Sequence, residues 1–346
     1  ASMVEGACVR VVDSLTHAVA VAGGAAPGGS VTALPVEVAA APDVGEVRGQ
    51  PVARQALEIA AAGGHHLLLT GPPGAGKTML AQCLPSLLPL LDPAGQLEVA
   101  QVWAAADRPR TDHARPPLRA PHHTATSAAL VGGGSGVPVP GEISLAHKGV
   151  LFLDEMGEFP PALLDALRQP LEQGSVTIAR KGRTTTFPSD IQLVGATNPC
   201  PCGYHEDEHK TCICTLAAKD RYRRRMSGPL LDRFDIRVTV GRPAPDQMLG
   251  PAEEPSAAIR ARVLAARDRQ LARGVLNRHL TRAQLDDLPI QGAAADLVAS
   301  ALRTGTVTGR GYDRTRRLAR TIADLAGTSE VTSEHMWSAL ELRGSP

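Results

Sequence analysis

The chain has 346 residues, 43% of them apolar, with 34 glycines and 28 prolines; this length allows two domains, and the composition excludes disordered, collagenous and low-complexity classes. Its 36 basic and 35 acidic side chains leave a net charge of +1, so no overall field points to nucleic acid and any such case rests on local charge. The longest uncharged stretch, from Ser14 to Pro35, is broken by Gly23, Gly24, Pro27, Gly28 and Gly29 and cannot supply ~20 continuous apolar helical residues, so no membrane partner is expected.

Ala1-Ser2-Met3 places a methionine behind two small residues with no apolar core after it, a pattern closer to a cloning remnant than to a signal peptide. Residues 4–45 are rich in small residues, with one short helix at 13–22 capped by Asp13 or Ser14, and read as a linker or the remnant of something longer. From Arg48 the pattern tightens, because Val52, Ala56, Ile59 and Ala60 recur at helical spacing until Gly63-Gly64 stop the helix. Short apolar runs at Leu67–Thr70, Val150–Leu153, 191–196 and 236–240 read as buried strands, with helices such as 78–84 and 162–172 between them. That alternation predicts an α/β core over residues 46–241, with a parallel sheet covered on both faces. Proline, glycine and acidic residues at 241–255 mark a linker. Helical patterns at 257–273, 281–288, 292–303, 314–326 and 333–342 then predict a small helical domain over 256–346.

The segment Gly71-Pro72-Pro73-Gly74-Ala75-Gly76-Lys77-Thr78 matches GxxxxGK[ST] between a strand and a helix, the setting in which backbone N–H groups curl around phosphates. Lys77 then reaches the β and γ oxygens, and the Thr78 hydroxyl ligates Mg²⁺. The strand Val150–Leu153 delivers Asp154 and Glu155 at its carboxyl end, where open α/β sheets bind ligands. Asp154 would hold Mg²⁺ through water and Glu155 would polarise the attacking water, so the expected cofactors are ATP and Mg²⁺.

Cys8 and Cys83 stand alone, whereas Cys200, Cys202, Cys212 and Cys214 fall within 15 residues. Four thiolates suit tetrahedral Zn²⁺, although CxC is tighter than the usual ligand spacing. Reduced unligated thiols and disulfides are the alternatives, the latter disfavoured in a reducing cytosol, and His205 or His209 could replace a cysteine. Residues 174–188 read as a β-hairpin whose basic tip, Arg180, Lys181 and Arg183, is either a solvated turn or a grip on DNA phosphates. Arg221-Tyr222-Arg223-Arg224-Arg225 is a second basic cluster, open to DNA or intersubunit contacts. His122 and His123 are adjacent in extended chain and point to opposite sides, so they are not expected to share a metal.

With these motifs the chain resembles the AAA+ ATPases. The resemblance makes Asn198, at the end of the 191–196 strand, the γ-phosphate sensor; Arg233, in Pro229-Leu230-Leu231-Asp232-Arg233-Phe234-Asp235, the finger donated to a neighbouring subunit; and Arg310, with Arg314 as second choice, the lid sensor. Insertions at 119–145 and 174–188 resemble the helix-2 insert and pre-sensor-1 hairpin of the branch that holds MCM helicases, NtrC-type activators and magnesium chelatase motor subunits. More narrowly, APHHTATSAALVGGG, PGEISLAHKGVLFLDEMGEFP, NPCPCG, SGPLLDRFD and RTIADLAG resemble the competence protein ComM family, also called magnesium-chelatase-like. Its full-length members carry a Lon-protease-like amino-terminal domain, of which residues 4–45 would be the tail and linker, with the cloning remnant before them completing a segment 1–45 outside the core. The resemblance implies a cytoplasmic ATPase that assembles as a homo-oligomeric ring, a hexamer, because Arg233 cannot reach the γ-phosphate of its own subunit. It further implies action on single-stranded or branched DNA, by branch migration or unwinding. The alternative it leaves open is a magnesium-chelatase-type motor subunit, or another protein-remodelling ATPase, that binds no DNA.

Overall fold

A computed structural model describes residues 9–30, 41–108, 110, 112–134, 137–180, 182–205, 207 and 209–344. Ala1 to Met3, Cys8 and Lys181 lie outside the described residues. The chain opens with β1 (Arg10–Val11), α1 (Leu15–Ala22) and β2 (Gly29–Ser30), then enters the core through α2 (Pro51–Gly63), β3 (Leu67–Thr70), α3 (Lys77–Leu87), α4 (Pro93–Ala105) and β4 (Leu118–Arg119). An intervening stretch holds α5 (Ser127–Leu130), β5 (Gly132–Gly133), β6 (Val139–Pro140) and α6 (Glu142–Leu145) before β7 (Val150–Leu153). Next come α7 (Pro161–Ala166), α8 (Arg168–Gln173), the hairpin β8 (Ser175–Arg180) and β9 (Arg183–Pro188), β10 (Gln192–Thr197), α9 (Leu216–Arg225), α10 (Gly228–Leu231) and β11 (Ile236–Thr239). The remainder is helical: α11 (Pro245–Leu249), α12 (Ser256–Ala272), α13 (Arg282–Asp286), α14 (Gly292–Arg303), α15 (Gly309–Leu325) and α16 (Ser333–Arg343).

Five strands form one parallel sheet in the order β11-β3-β10-β7-β4. Because successive strand side chains point to opposite faces, the sheet feeds two cores. Leu67, Leu69, Val150, Phe152, Val194 and Ala196 pack on one side with α2, α3 and the carboxyl-terminal helices. Leu68, Leu151, Leu153 and Leu193 pack on the other with Phe159, Leu164, Val176, Ile178 and Phe234. The near-continuous apolar strands thus reflect burial on both faces, and all six residues of β10 are buried.

The helix expected over 162–172 is two short ones, because Pro170 has no N–H to offer the Ala166 carbonyl and the chain turns at Leu167. Helix α15 starts earlier than the expected 314, at Gly309, where the Thr308 hydroxyl accepts from the Gly311 N–H at 3.0 Å and caps it. Residues 241–255 are pinned: Arg48 Nη1 donates to the Met248 and Gly250 carbonyls at 2.9 and 2.6 Å, and Arg54 Nη2 to the Glu254 carbonyl at 2.7 Å.

A buried polar network ties the carboxyl-terminal helices to the sheet. His65, fully buried, bonds Thr321 Oγ1 at 2.7 Å through Nε2, and its Nδ1 lies 3.6 Å from Asp235. Arg314 Nη1 donates to Asp235 Oδ1 at 2.9 Å and to the Arg233 carbonyl at 2.6 Å. Arg278 reaches the Gly64 and Ile191 carbonyls at 3.1 and 2.8 Å and pairs with Asp190.

Candidate functional site

The strand ends of β3, β7 and β10 meet around a cavity of about 460 Å³ lined by the phosphate-loop residues Pro73 to Thr78, Asp154, Glu155, Thr197 and Asn198. The loop is shaped by glycine at two kinds of position. Gly71 passes so close to β11 that an added Cβ would stand 2.0 Å from the Val240 carbonyl oxygen, whereas Gly74 and Gly76 take φ of +81° and +87° with open space where a Cβ would point. Backbone N–H groups at such positions are free to face an anion.

Lys77 is buried at the start of α3, and its ammonium donates to the Gly71 and Pro72 carbonyls at 2.7 and 2.8 Å and to Asn198 Oδ1 at 3.2 Å. Burial lowers its pKa, opposed by the charges of Asp154 and Glu155. The Thr78 hydroxyl donates to Asp154 Oδ2 at 2.8 Å, so a hydroxyl and a carboxylate converge as the oxygen donors a hard cation takes. Asp154 Oδ1 accepts the Glu155 N–H at 2.9 Å, and Glu155 itself sits at φ +49°, a strained conformation for a side-chain-bearing residue of the kind that clusters at active sites.

One partner of Glu155 was not foreseen. His123 Nδ1 lies 3.4 Å from Glu155 Oε2, with the His123 ring edge-on to Phe159 at 6.4 Å and tilted against His122 at 4.1 Å, so the two rings lie side by side and not on opposite sides of the chain as expected. The sequence offered the histidine pair but no sign that one of them faces the acid.

The finger candidate Arg233 stands elsewhere. It lies just before β11, at the end of the sheet opposite the phosphate loop, and the four residues of β11 at ~3.3 Å each separate that end from Val240 by roughly 13 Å. Its guanidinium is buried, donates to the Pro229 carbonyl at 2.5 Å and pairs with Glu172. Burial lowers its pKa; Glu172 opposes this, and the charges of Arg168, Arg314 and Arg310 add to it. Arg310 therefore shares the neighbourhood of Arg233, not the nucleotide pocket of its own chain, while Arg314 is committed to Asp235.

Arg180 and Arg183 face each other at the exposed tip of the β8–β9 hairpin, whose register runs from Ser175 opposite Pro188 to Arg180 opposite Arg183. In α9, Arg221, Arg223 and Arg224 are exposed, Arg225 bonds the Gly157 carbonyl and Glu158 at 3.1 Å each, and Tyr222 is buried with its hydroxyl 3.4 Å from Thr197. Tyr222 is thus a prop beneath the site, not an exposed stacking surface. The four clustered cysteines are free of disulfides, and their sulfurs lie within 4.8 Å of one another. His205 bonds Lys219 at 3.0 Å, and neither it nor His209 joins the sulfur cluster.

A parallel sheet with a phosphate loop and an acidic pair at its strand ends, capped by a helical domain, is the architecture of an ATP-hydrolysing P-loop enzyme of the AAA+ class. The family model described as magnesium chelatase, subunit ChlI, matches residues 43–248, and the model of its C-terminal part matches residues 253–343. An uncharacterized protein of Mycobacterium tuberculosis (strain H37Rv) is 42% identical over 99% of this chain and 70% of its own length. Protein YifB of Escherichia coli K12 is 41% identical, and competence protein ComM of Haemophilus influenzae 42%, each over 87% of this chain and 60% of the relative. The chain belongs to the magnesium chelatase and ComM-like family of AAA+ ATPases. Among the described residues no helix is long and apolar enough to cross a membrane.

Proposed function

We propose that the chain is the motor module of a homo-oligomeric ring of six subunits that hydrolyses ATP to remodel a bound macromolecule, in the manner of a magnesium chelatase motor subunit. The observation that carries the ATPase reading is the convergence of Lys77, Thr78, Asp154 and Asn198 on one cavity at the carboxyl ends of adjacent strands. Thr78 and Asp154 would hold Mg²⁺, which neutralises phosphate charge when bound. Lys77 and the N–H groups of the loop position the β and γ phosphates; Glu155 orients the attacking water and takes up its proton; Asn198 fixes the γ-phosphate end through its hold on Lys77. Arg233 would serve the neighbouring subunit once freed from Glu172 and the Pro229 carbonyl, and its distance from its own phosphate loop supports that role. Arg310, close to Arg233, would act from the same interface.

The two intervening segments act as the helix-2 insert and pre-sensor-1 hairpin. They touch: a Cβ at Gly132 would stand 2.5 Å from Ile178 Cδ1, so β5–β6 and β8–β9 would move as one unit. A protein partner is favoured because both matching family models are those of a magnesium chelatase subunit. The second reading, a DNA branch-migration or unwinding motor, is favoured by the exposed Arg180 and Arg183, which with Lys181 would multiply several-fold around a ring axis and contact phosphates regardless of sequence. The discriminating measurement is the ATPase rate with and without single-stranded and forked DNA, together with DNA binding at low salt. No stimulation and no binding supports the protein-remodelling motor. Stimulation that disappears in the Lys181→Ala/Arg183→Ala variant moves the assignment to DNA.

A further inference from the structure

Between β10 and α9 the chain runs through 18 residues, 198–215, with almost nothing apolar to order them: Cys200 is buried, but Ile213 is 86% exposed. Its interior is sulfur. Cys200 Sγ lies 3.4 Å from Cys202 Sγ and 3.7 Å from Cys212 Sγ, Cys202 and Cys212 are 3.7 Å apart, and Cys214 Sγ accepts the Cys202 N–H at 3.4 Å. A tetrahedral Zn²⁺ with ~2.3 Å bonds to sulfur has sulfur-to-sulfur edges of ~3.8 Å, close to the separations seen. The N–H groups of Gly203 and His205 face Cys200, and those of Tyr204 and Ile213 face Cys202, the outer hydrogen bonds that orient metal-bound thiolates. Of the loop's other described polar side chains, His205 bonds Lys219 and Asp207 pairs with Arg242 at 3.2 Å. We propose that Cys200, Cys202, Cys212 and Cys214 bind one Zn²⁺ as four thiolates, and that this metal knuckle positions the nucleotide site.

The second half follows from what the knuckle touches. Asn198, which holds Lys77, lies two residues before Cys200. Gly203, at φ +84°, packs so tightly on the phosphate loop that a Cβ there would stand 2.5 Å from Pro73 Cδ. Thr215, directly after Cys214, caps α9 by accepting the Ala218 N–H at 3.2 Å, and α9 carries Tyr222 under Thr197. One ion would therefore lock the sensor strand, the phosphate loop and α9 together. This positioning role rests on the nucleotide reading of the cavity, whereas the metal site does not.

The test combines metal analysis of the purified chain, Co²⁺ substitution, and titration with a fluorescent ATP analogue, before and after chelation and in Cys212→Ser/Cys214→Ser. Expected are one zinc per chain, the absorption of tetrahedral cobalt thiolate, no metal in the double variant, and analogue affinity lower by at least ~10-fold without metal, about the loss of one charge-assisted hydrogen bond. Readdition of Zn²⁺ to the stripped chain should restore affinity, with far-UV circular dichroism reporting whether the sheet persisted. Four freely titrating thiols in metal-free protein, or iron in place of zinc, would overturn the site. Zinc bound with unchanged nucleotide affinity on stripping would overturn the positioning role. Zinc bound by a chain that takes up no nucleotide at all would sink the nucleotide reading and support the metal site.

Discussion

Arg314→Ala separates a structural arginine from a nucleotide sensor. Arg314 donates to Asp235 and to the Arg233 carbonyl, and Asp235, 6% exposed, otherwise accepts only the His66 N–H at 3.1 Å and lies near His65. Burial alone would raise the Asp235 carboxyl; the neighbouring His65 imidazole and the charge of Arg314 instead hold it well below the usual carboxylate range. Removing one partner of a buried pair costs about 3–5 kcal/mol, and the partial exposure of Arg314, 21%, places the expected loss near ~3 kcal/mol. With an unfolding entropy of ~2.1 cal/mol/K per residue, a chain of this length loses roughly 4 °C in Tm. The penalty should shrink as pH falls below ~4 toward the depressed folded value, because a depressed carboxyl stabilises fully above its unfolded pKa, loses that contribution as it protonates, and the neutral acid tolerates burial. Differential scanning fluorimetry across pH, paired with ATP-analogue titration of the assembled ring, reads both quantities. An unchanged Tm with analogue affinity lowered tenfold or more would refute the structural assignment and move Arg314 to the nucleotide.

Glu155→Gln should retain nucleotide but slow hydrolysis by at least ~10²-fold, and mixing it with Arg233→Ala subunits should restore part of the activity through interfaces that pair an intact acid with an intact finger; mixed rings with no rescue would place Arg233 outside the reaction. Burial pushes the His66 imidazole down to about 3 against the opposing charge of Asp235, while its Nδ1 accepts the Leu193 N–H at 3.0 Å, an arrangement that requires the neutral ring. The unfolded chain therefore binds a proton that the folded one does not between pH ~6.5 and ~3, and stability should fall with pH by up to ~1.4 kcal/mol per unit across that window. Part of His66 keeps an edge at the surface, which makes this slope an upper limit. His66→Gln should flatten the profile, and an unaltered acid slope would exclude the residue.

The parts of the site that the sequence displays are those in which one short segment carries both the chemistry and its structural setting. Gly71 to Thr78 and Asp154-Glu155 each follow an apolar strand, so motif and position are read together. Contacts between distant segments leave no such trace: Glu172 meets Arg233 across 61 positions, and His123 reaches Glu155 from a different loop. Of the helices the sequence does not announce, the two longest bury little apolar surface: α9 only Tyr222, and α4 only Gly95, Val99 and Val102. Strand β4 is two residues long and carries no periodicity at all. The apolar pattern of α15 becomes legible only from about Arg314, whereas its first turn is set by the Thr308 cap on the Gly311 N–H.

Because Thr70, Thr197 and Leu153 end three neighbouring parallel strands, the lateral spacing of the groups that follow them is set by the sheet's own ladder, ~4.8 Å per strand. Backbone hydrogen bonds, indifferent to side-chain identity, act as a ruler for the chemistry. The segments between strands can therefore lengthen, shorten or be exchanged without moving Lys77 relative to Asp154. Residues 120–149 and 174–190 occupy two such intervals, so changes in their length need not disturb the register of the hydrolytic geometry.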